Sequence, residues 1–188
     1  MTQTVRSIFT RANEPQSTST MAPVQLRFLL RKLSLRRNQI VVVIGTPELD
    51  AVRQVAESVG VDGRVSVLLT EAQLAQRGEY LAQVTQLAEQ RPQVSVGKLG
   101  PTLESQRADA LIVLPDRLMP PYQPLLEQAW RRLLSGGRLM LVLPAGEQYG
   151  QRLHELIEAA SKQGFVSRFR RICEKHTAWV GVKYCPKG

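Results

Sequence analysis

The sequence predicts an open α/β domain in three layers: a mostly parallel seven-stranded sheet, helices on both sides, and an antiparallel strand pair at the C-terminus. Three observations predict it. From Gln39 onward short β-rich apolar runs alternate with segments of helical period, the succession that right-handed crossovers turn into a parallel sheet. The run Ile40–Ile44 is apolar without alternation, as a strand covered on both faces must be. The last two β-rich runs are joined by a short turn instead of a helix, which only antiparallel strands allow.

The elements follow in order. Ile40–Ile44 is the first strand and Leu49–Val59 the first helix, with Leu49, Val52, Val55, Ala56 and Val59 on one side. Val65–Leu69 is a second strand and Tyr80–Gln90 a helix with Leu81, Val84, Leu87 and Ala88 inward. Val94–Val96 and Ala110–Leu114 are strands, the latter stopped by Pro115. Pro124–Leu134 is a helix with proline near its start, where the missing N–H costs nothing. Gly136-Gly137 makes a turn into the strand Arg138–Leu143, which Pro144 ends. Gln148–Lys162 is a helix closed by Gly164, a residue that adopts the left-handed cap without strain. Val166–Ile172 and Ala178–Tyr184 complete the sheet.

The chain of 188 residues suits one such domain, 39–188, plus an N-terminal tail, 1–23, and a basic amphipathic segment, 24–38. The net charge is +9, and it is unevenly placed. Residues 1–38 hold seven cations and one acid, while residues 39–188 hold 18 and 15. The excess therefore sits in the leader (Arg6, Arg11, Arg27, Arg31, Lys32, Arg36 and Arg37) and points to an acidic partner or an anionic surface met by the N-terminus. In 24–37, Leu26, Leu29, Leu30 and Leu33 fall at helical spacing among Arg27, Arg31 and Lys32. Such a helix suits a membrane surface or an apolar groove with an acidic rim, or else packs on its own domain. No apolar run approaches the roughly 20 residues of a membrane span, and no secretory leader is recognisable. Cys173 and Cys185 have no metal-ligand or disulfide spacing, so the expected location is cytoplasmic, including peripherally on a membrane's cytoplasmic face.

The C-terminal half carries a family likeness. Ala108-Asp109-Ala110-Leu111-Ile112-Val113-Leu114, then Leu125 to Leu134, then Ser135-Gly136-Gly137-Arg138-Leu139-Met140-Leu141-Val142 resemble the fourth strand, the following helix, and the Pro-Gly-Gly turn with fifth strand of class I S-adenosylmethionine-dependent methyltransferases. Ser135 stands where the family has proline. Gln163-Gly164-Phe165 and the strand pair ending Val180-Gly181-Val182-Lys183 extend the resemblance to about 150 residues. It implies a Rossmann-like fold with the cofactor at the carboxyl ends of the first strands. In such a site a glycine-rich turn approaches the ligand, an acid ending the second strand holds the ribose, and an acid or amide after the third strand meets the adenine.

The sequence departs from all three. After the first strand it reads Gly45-Thr46-Pro47-Glu48-Leu49, with Pro47 and Leu49 at the second and third glycine positions and Val43 where many relatives carry an acid. Leu68 stands at the ribose-binding position, with Glu71 close by, and Gly97-Lys98-Leu99-Gly100 offers a cation after the third strand. The expected pocket is thus vestigial: Gly45, Thr46, Pro47, Leu68 and Glu71, with no bound cofactor unless S-adenosylmethionine binding survives through Gly45, Glu48 and Glu71.

Other chemistry is sparse. His154 and His176 lack partners at metal-ligand spacing and are expected at the surface. After the fourth strand, where methyltransferases place substrate contacts, Asp116 and Tyr122 would serve an active relative; otherwise this proline-stiffened loop meets a neighbour or solvent. Arg168, Arg170 and Arg171, with Lys183 in the partner strand, are expected to protect a sheet edge, with Arg168 and Arg170 on one face.

These features predict a non-catalytic, methyltransferase-like accessory subunit. Its basic arm (Arg6, Arg11, Leu26, Arg27, Leu29, Leu30, Arg31, Lys32, Leu33, Arg36, Arg37) would dock on other subunits of a larger, membrane-bound, bioenergetic assembly or on an anionic membrane. The alternatives are a divergent S-adenosylmethionine-dependent methyltransferase and, with less support, a nucleic-acid-binding module.

Overall fold

The computed structural model describes residues 29–76, 78–100, 107–114, 121–172 and 175–185. After a helical segment at 29–33 come β1 (Ile40–Ile44), α1 (Leu49–Val59), β2 (Arg64–Leu69), α2 (Glu71–Gln76), α3 (Gly78–Gln90), β3 (Val94–Lys98), β4 (Ala108–Val113), α4 (Gln123–Arg132), β5 (Leu133–Pro144), α5 (Glu147–Gln163), β6 (Phe165–Ile172) and β7 (His176–Lys183). The strands form one seven-stranded sheet in the order β3-β2-β1-β4-β5-β7-β6. All pairs are parallel except those made by β7, which runs against β5 and β6. The predicted three-layer architecture and the antiparallel closing pair are both present.

Strand alternation divides the core. Val41 and Val43, Val65, Val67 and Leu69, Ile112, Met140 and Val180 face one side, beneath α1, α3 and the 29–33 segment. Val42, Ile44, Leu111, Leu139, Leu141 and Trp179 face the other, beneath α4 and α5. Both faces are apolar because both are covered. Leu29, Leu30 and Leu33, expected among partner-binding residues, are buried in the first of these layers. Their apolar face is used on the chain's own domain and is not free for a groove or membrane; Arg31, Lys32, Arg36 and Arg37 remain exposed. Arg6, Arg11, Leu26 and Arg27 lie outside the described residues.

Several boundaries move. An extra short helix, α2, precedes α3, and α4 stops at Arg132. Gly136 and Gly137 lie within β5, at a register shift opposite Ala108/Ala110. Gly136 has φ +77, and a Cβ on Gly137 would stand 2.8 Å from the Leu134 carbonyl, so the glycines make a bulge where the sequence predicts a turn. In β6 a second shift between Ser167 and Phe169 makes Arg168 the extra residue. Phe169 then pairs with Val180 and Arg170 with Trp179, so Arg168 and Arg170 do not share a face by simple alternation. Lys183, expected among the cations protecting the sheet edge, is engaged elsewhere: its Nζ donates to the Trp130 and Leu133 carbonyls at 2.6 and 2.8 Å, closing the C-terminal end of α4.

Candidate functional site

The strand order reverses between β1 and β4. From β1 the chain runs outward through β2 to β3, then returns to place β4 on β1's other side. In open α/β sheets ligands bind at the carboxyl ends of the strands flanking such a reversal. Here that place is built from the β1–α1 turn, the end of β2, the end of β3 and the stretch after β4.

The turn begins at Gly45, whose φ of +114 is a conformation side chains avoid. Its N–H donates to the Leu68 carbonyl at 3.1 Å, and Leu114 N–H donates to the Ile44 carbonyl at 3.0 Å. These bonds lock the turn against β2 on one side and β4 on the other. Thr46 is half-buried and Pro47 buried. Pro47 contributes no N–H and fixes its own φ, so the turn has one backbone donor fewer to offer. Glu48 is the N-cap residue of α1 and makes no side-chain cap. Burial first, and the Asp50 carboxylate second, push its carboxyl above the ordinary range.

Leu68, expected at the ribose position, stands beside the turn. It is the β2 residue paired with Ile44 and bonded to Gly45. It is 2% exposed and packs in the α4–α5 core layer, so its side chain offers no hydrogen-bond acceptor at the end of β2. Glu71 opens α2, whose entry is fixed by reciprocal bonds between Thr70 and Gln73. The Glu71 carboxylate is exposed and pairs with Lys98 Nζ at 3.0 Å, which ties the ends of β2 and β3 together. A surface pair of this kind is worth about 0–1 kcal/mol, so a ligand hydroxyl can displace it. Among the described residues the carboxylates beside the turn are thus Glu48 and Glu71, and the end of β2 itself offers none.

Past β4, Asp116 lies outside the described residues. Tyr122, just before α4, is 7% exposed and packs in the α4–α5 layer, so of the two surroundings expected for this loop, a neighbour or solvent, Tyr122 does not meet solvent. Burial pushes its phenol up, Arg152 opposes this and Glu155 adds to it. Its hydroxyl is buried with no hydrogen-bond partner among the described residues. His176 is the second correction. Expected at the surface, it is 1% exposed, because it opens β7 opposite Pro144 and is covered at the sheet's carboxyl edge. His154 is exposed, with Nε2 3.4 Å from Glu158. Neither the burial of Tyr122 nor that of His176 is signalled by its sequence neighbours, since both depend on how α5 and β7 close over the sheet.

Among the described residues no group of His, Cys, Asp and Glu is placed to hold a metal ion, and no helix is long and apolar enough to cross a membrane. Cys185 is a free, exposed thiol.

No protein-family model matches the sequence, and no curated protein matches it. Solved structures do. A SAM-dependent O-methyltransferase from Thermotoga maritima superposes with a TM-score of 0.67 at 16% identity, over 92% of this chain and 70% of that one. A methyltransferase from Pyrococcus furiosus gives 0.66 at 20% identity, over 93% and 88%. A SAM-dependent methyltransferase from Aquifex aeolicus gives 0.66 at 12% identity, over 87% of this chain and all of that one. The sheet order, the antiparallel β7 and these superpositions together establish that the chain has the Rossmann-like fold of the class I S-adenosylmethionine-dependent methyltransferases.

Proposed function

We propose that the chain is a divergent S-adenosylmethionine-dependent methyltransferase whose β1–β4 crevice takes an adenosyl ligand with weakened affinity. The observation that carries this reading is the turn at Gly45, held between β2 and β4 at the strand reversal, in a fold whose solved neighbours are methyltransferases. Without an acid at Leu68, the ribose loses a charged acceptor, a loss of about 1.5–3 kcal/mol, or roughly one to two decades in affinity. Glu71 is the acceptor nearest the end of β2, and Lys98 competes for its carboxylate.

Calorimetry with S-adenosylhomocysteine tests this. The expected result is a dissociation constant of roughly 10–100 μM, taking about 1 μM as the starting point. Glu71→Gln should weaken it about tenfold further. Silence at millimolar ligand would overturn the reading.

A second reading, the non-catalytic accessory subunit, is favoured by one observation: Leu68 is sealed in the core, so the ribose position is occupied by packing. It predicts the silent calorimeter, together with recovery of the native protein in a larger assembly.

A further inference from the structure

We infer that the amino ends of the strands, the pole opposite the crevice, form a docking surface for an anionic lipid bilayer. Register places the residues together. Arg64 pairs with Ile40, and Val41 is in the same row as Ala110, Arg138, Val182 and Val166. The segments just before β1, β2 and β4, and just after the antiparallel β7, therefore emerge at one edge. They carry Arg36 and Arg37, Arg64, Arg107 and Tyr184. Helix α4 runs back toward the same edge and brings Arg131 in its last turn.

Arg36, Arg37, Arg64, Arg107 and Arg131 are exposed, and none has a carboxylate partner among the described residues. Of the carboxylates at this end, Asp109 accepts the Ile40 N–H at 2.8 Å and Glu57 pairs with Arg91 at 3.1 Å. Asp109 keeps its charge, and with Asp62 and Glu89 it makes three carboxylates against the five arginines, so cations predominate among the described residues. Amid them stand two large apolar side chains open to solvent: Val61 at 84% and Tyr184 at 61%. Val61 tips the loop between α1 and β2. Tyr184 follows β7, four strands away from β2, a span of about 19 Å at the usual strand spacing.

Cations spread over such a width fit any polyanion. The apolar side chains among them select the bilayer, where exposed hydrocarbon enters the headgroup boundary while arginines meet lipid phosphates. A nucleic acid backbone has no use for an exposed valine, and one tyrosine is no stacking platform. Docking by this pole leaves the crevice facing away from the bilayer. The inference does not depend on what the crevice binds.

Co-sedimentation of the full chain with two vesicle types tests it: phosphatidylcholine alone, and phosphatidylcholine with phosphatidylserine in equal parts. Binding is expected only to the anionic vesicles and should fall as salt rises. The double change Arg37→Ala and Arg64→Ala should weaken it about thirtyfold. Val61→Ser should weaken it roughly fivefold while leaving binding to duplex RNA unmoved. All three residues are exposed, so circular dichroism and melting should match the parent. Absence of anionic-vesicle binding would overturn the inference, as would unchanged binding by the double-arginine variant. Tighter capture by duplex RNA, with Val61→Ser without effect on vesicles, would assign the pole to nucleic acid instead.

Discussion

Two side chains at the carboxyl edge show how a buried polar group reports on its surroundings. The Tyr122 hydroxyl is enclosed without a partner among the described residues. Removing an unsatisfied polar atom while keeping the ring is close to neutral or stabilising. Tyr122→Phe should therefore leave the urea midpoint unchanged or raise stability by up to about 1 kcal/mol. A loss beyond about 1 kcal/mol would show that the hydroxyl is bonded in the folded chain. Glu48 gives a pH test. Burial and Asp50 raise its folded-state pKa above 4.5, so the native chain holds this proton more tightly than the unfolded one. The associated stability is fully present below the unfolded value and is lost as pH rises through the folded value. Glu48→Gln, which cannot ionise, should then gain on the parent as pH rises above 4.5. Urea midpoints that stay parallel across this range would contradict the assignment.

At the scale of elements the sequence was informative where periodicity is unbroken. Ile40–Ile44 is a strand buried on both faces because five consecutive apolar residues leave no polar side to expose. Helix α5 ends where Gly164, at φ +107, accepts the left-handed cap. What periodicity missed are the two register shifts, since a bulge changes parity without changing composition. The 29–33 segment marks another limit. Its stripe of leucines defines an amphipathic helix but cannot say whether the covering surface belongs to a partner or to the same chain, and here it is the same chain. Leu33→Ala should accordingly cost about 2–5 kcal/mol in chemical denaturation. Removing residues 2–37 should do more, because Leu29 and Leu30 leave with it and the first core layer opens. A truncated chain that melts with the parent would mean that the helix is docked elsewhere in solution. Loss of partner or membrane binding on this deletion would by itself say little, since the domain is damaged too.

Across the whole molecule, the fold was readable and the state of the site only half so. Strand and helix order, with the strand pair that closes it, sufficed to name the architecture. That Leu68 stands beside the Gly45 turn was legible from the strand order, and the bond from Gly45 to its carbonyl shows it. The pairing of Glu71 with Lys98 was not readable, because the residues are distant in sequence and meet only when β3 lies beside β2. It matters because it decides how the crevice responds to ligand. A ligand that binds only the folded chain stabilises it by RT ln(1 + [L]/Kd), so the gain grows with the logarithm of the ligand excess over Kd. With a dissociation constant near 100 μM, 1 mM S-adenosylhomocysteine should add about 1.4 kcal/mol, a rise of roughly 3–6 °C in melting temperature for a chain of this size. Lys98→Ala frees the Glu71 carboxylate and should enlarge that rise, whereas Glu71→Gln should shrink it to about 1–2 °C. The opposite signs are the informative outcome. If both variants shift like the parent, the ligand is held away from the end of β2, and Glu71 is a surface residue tying two strands together.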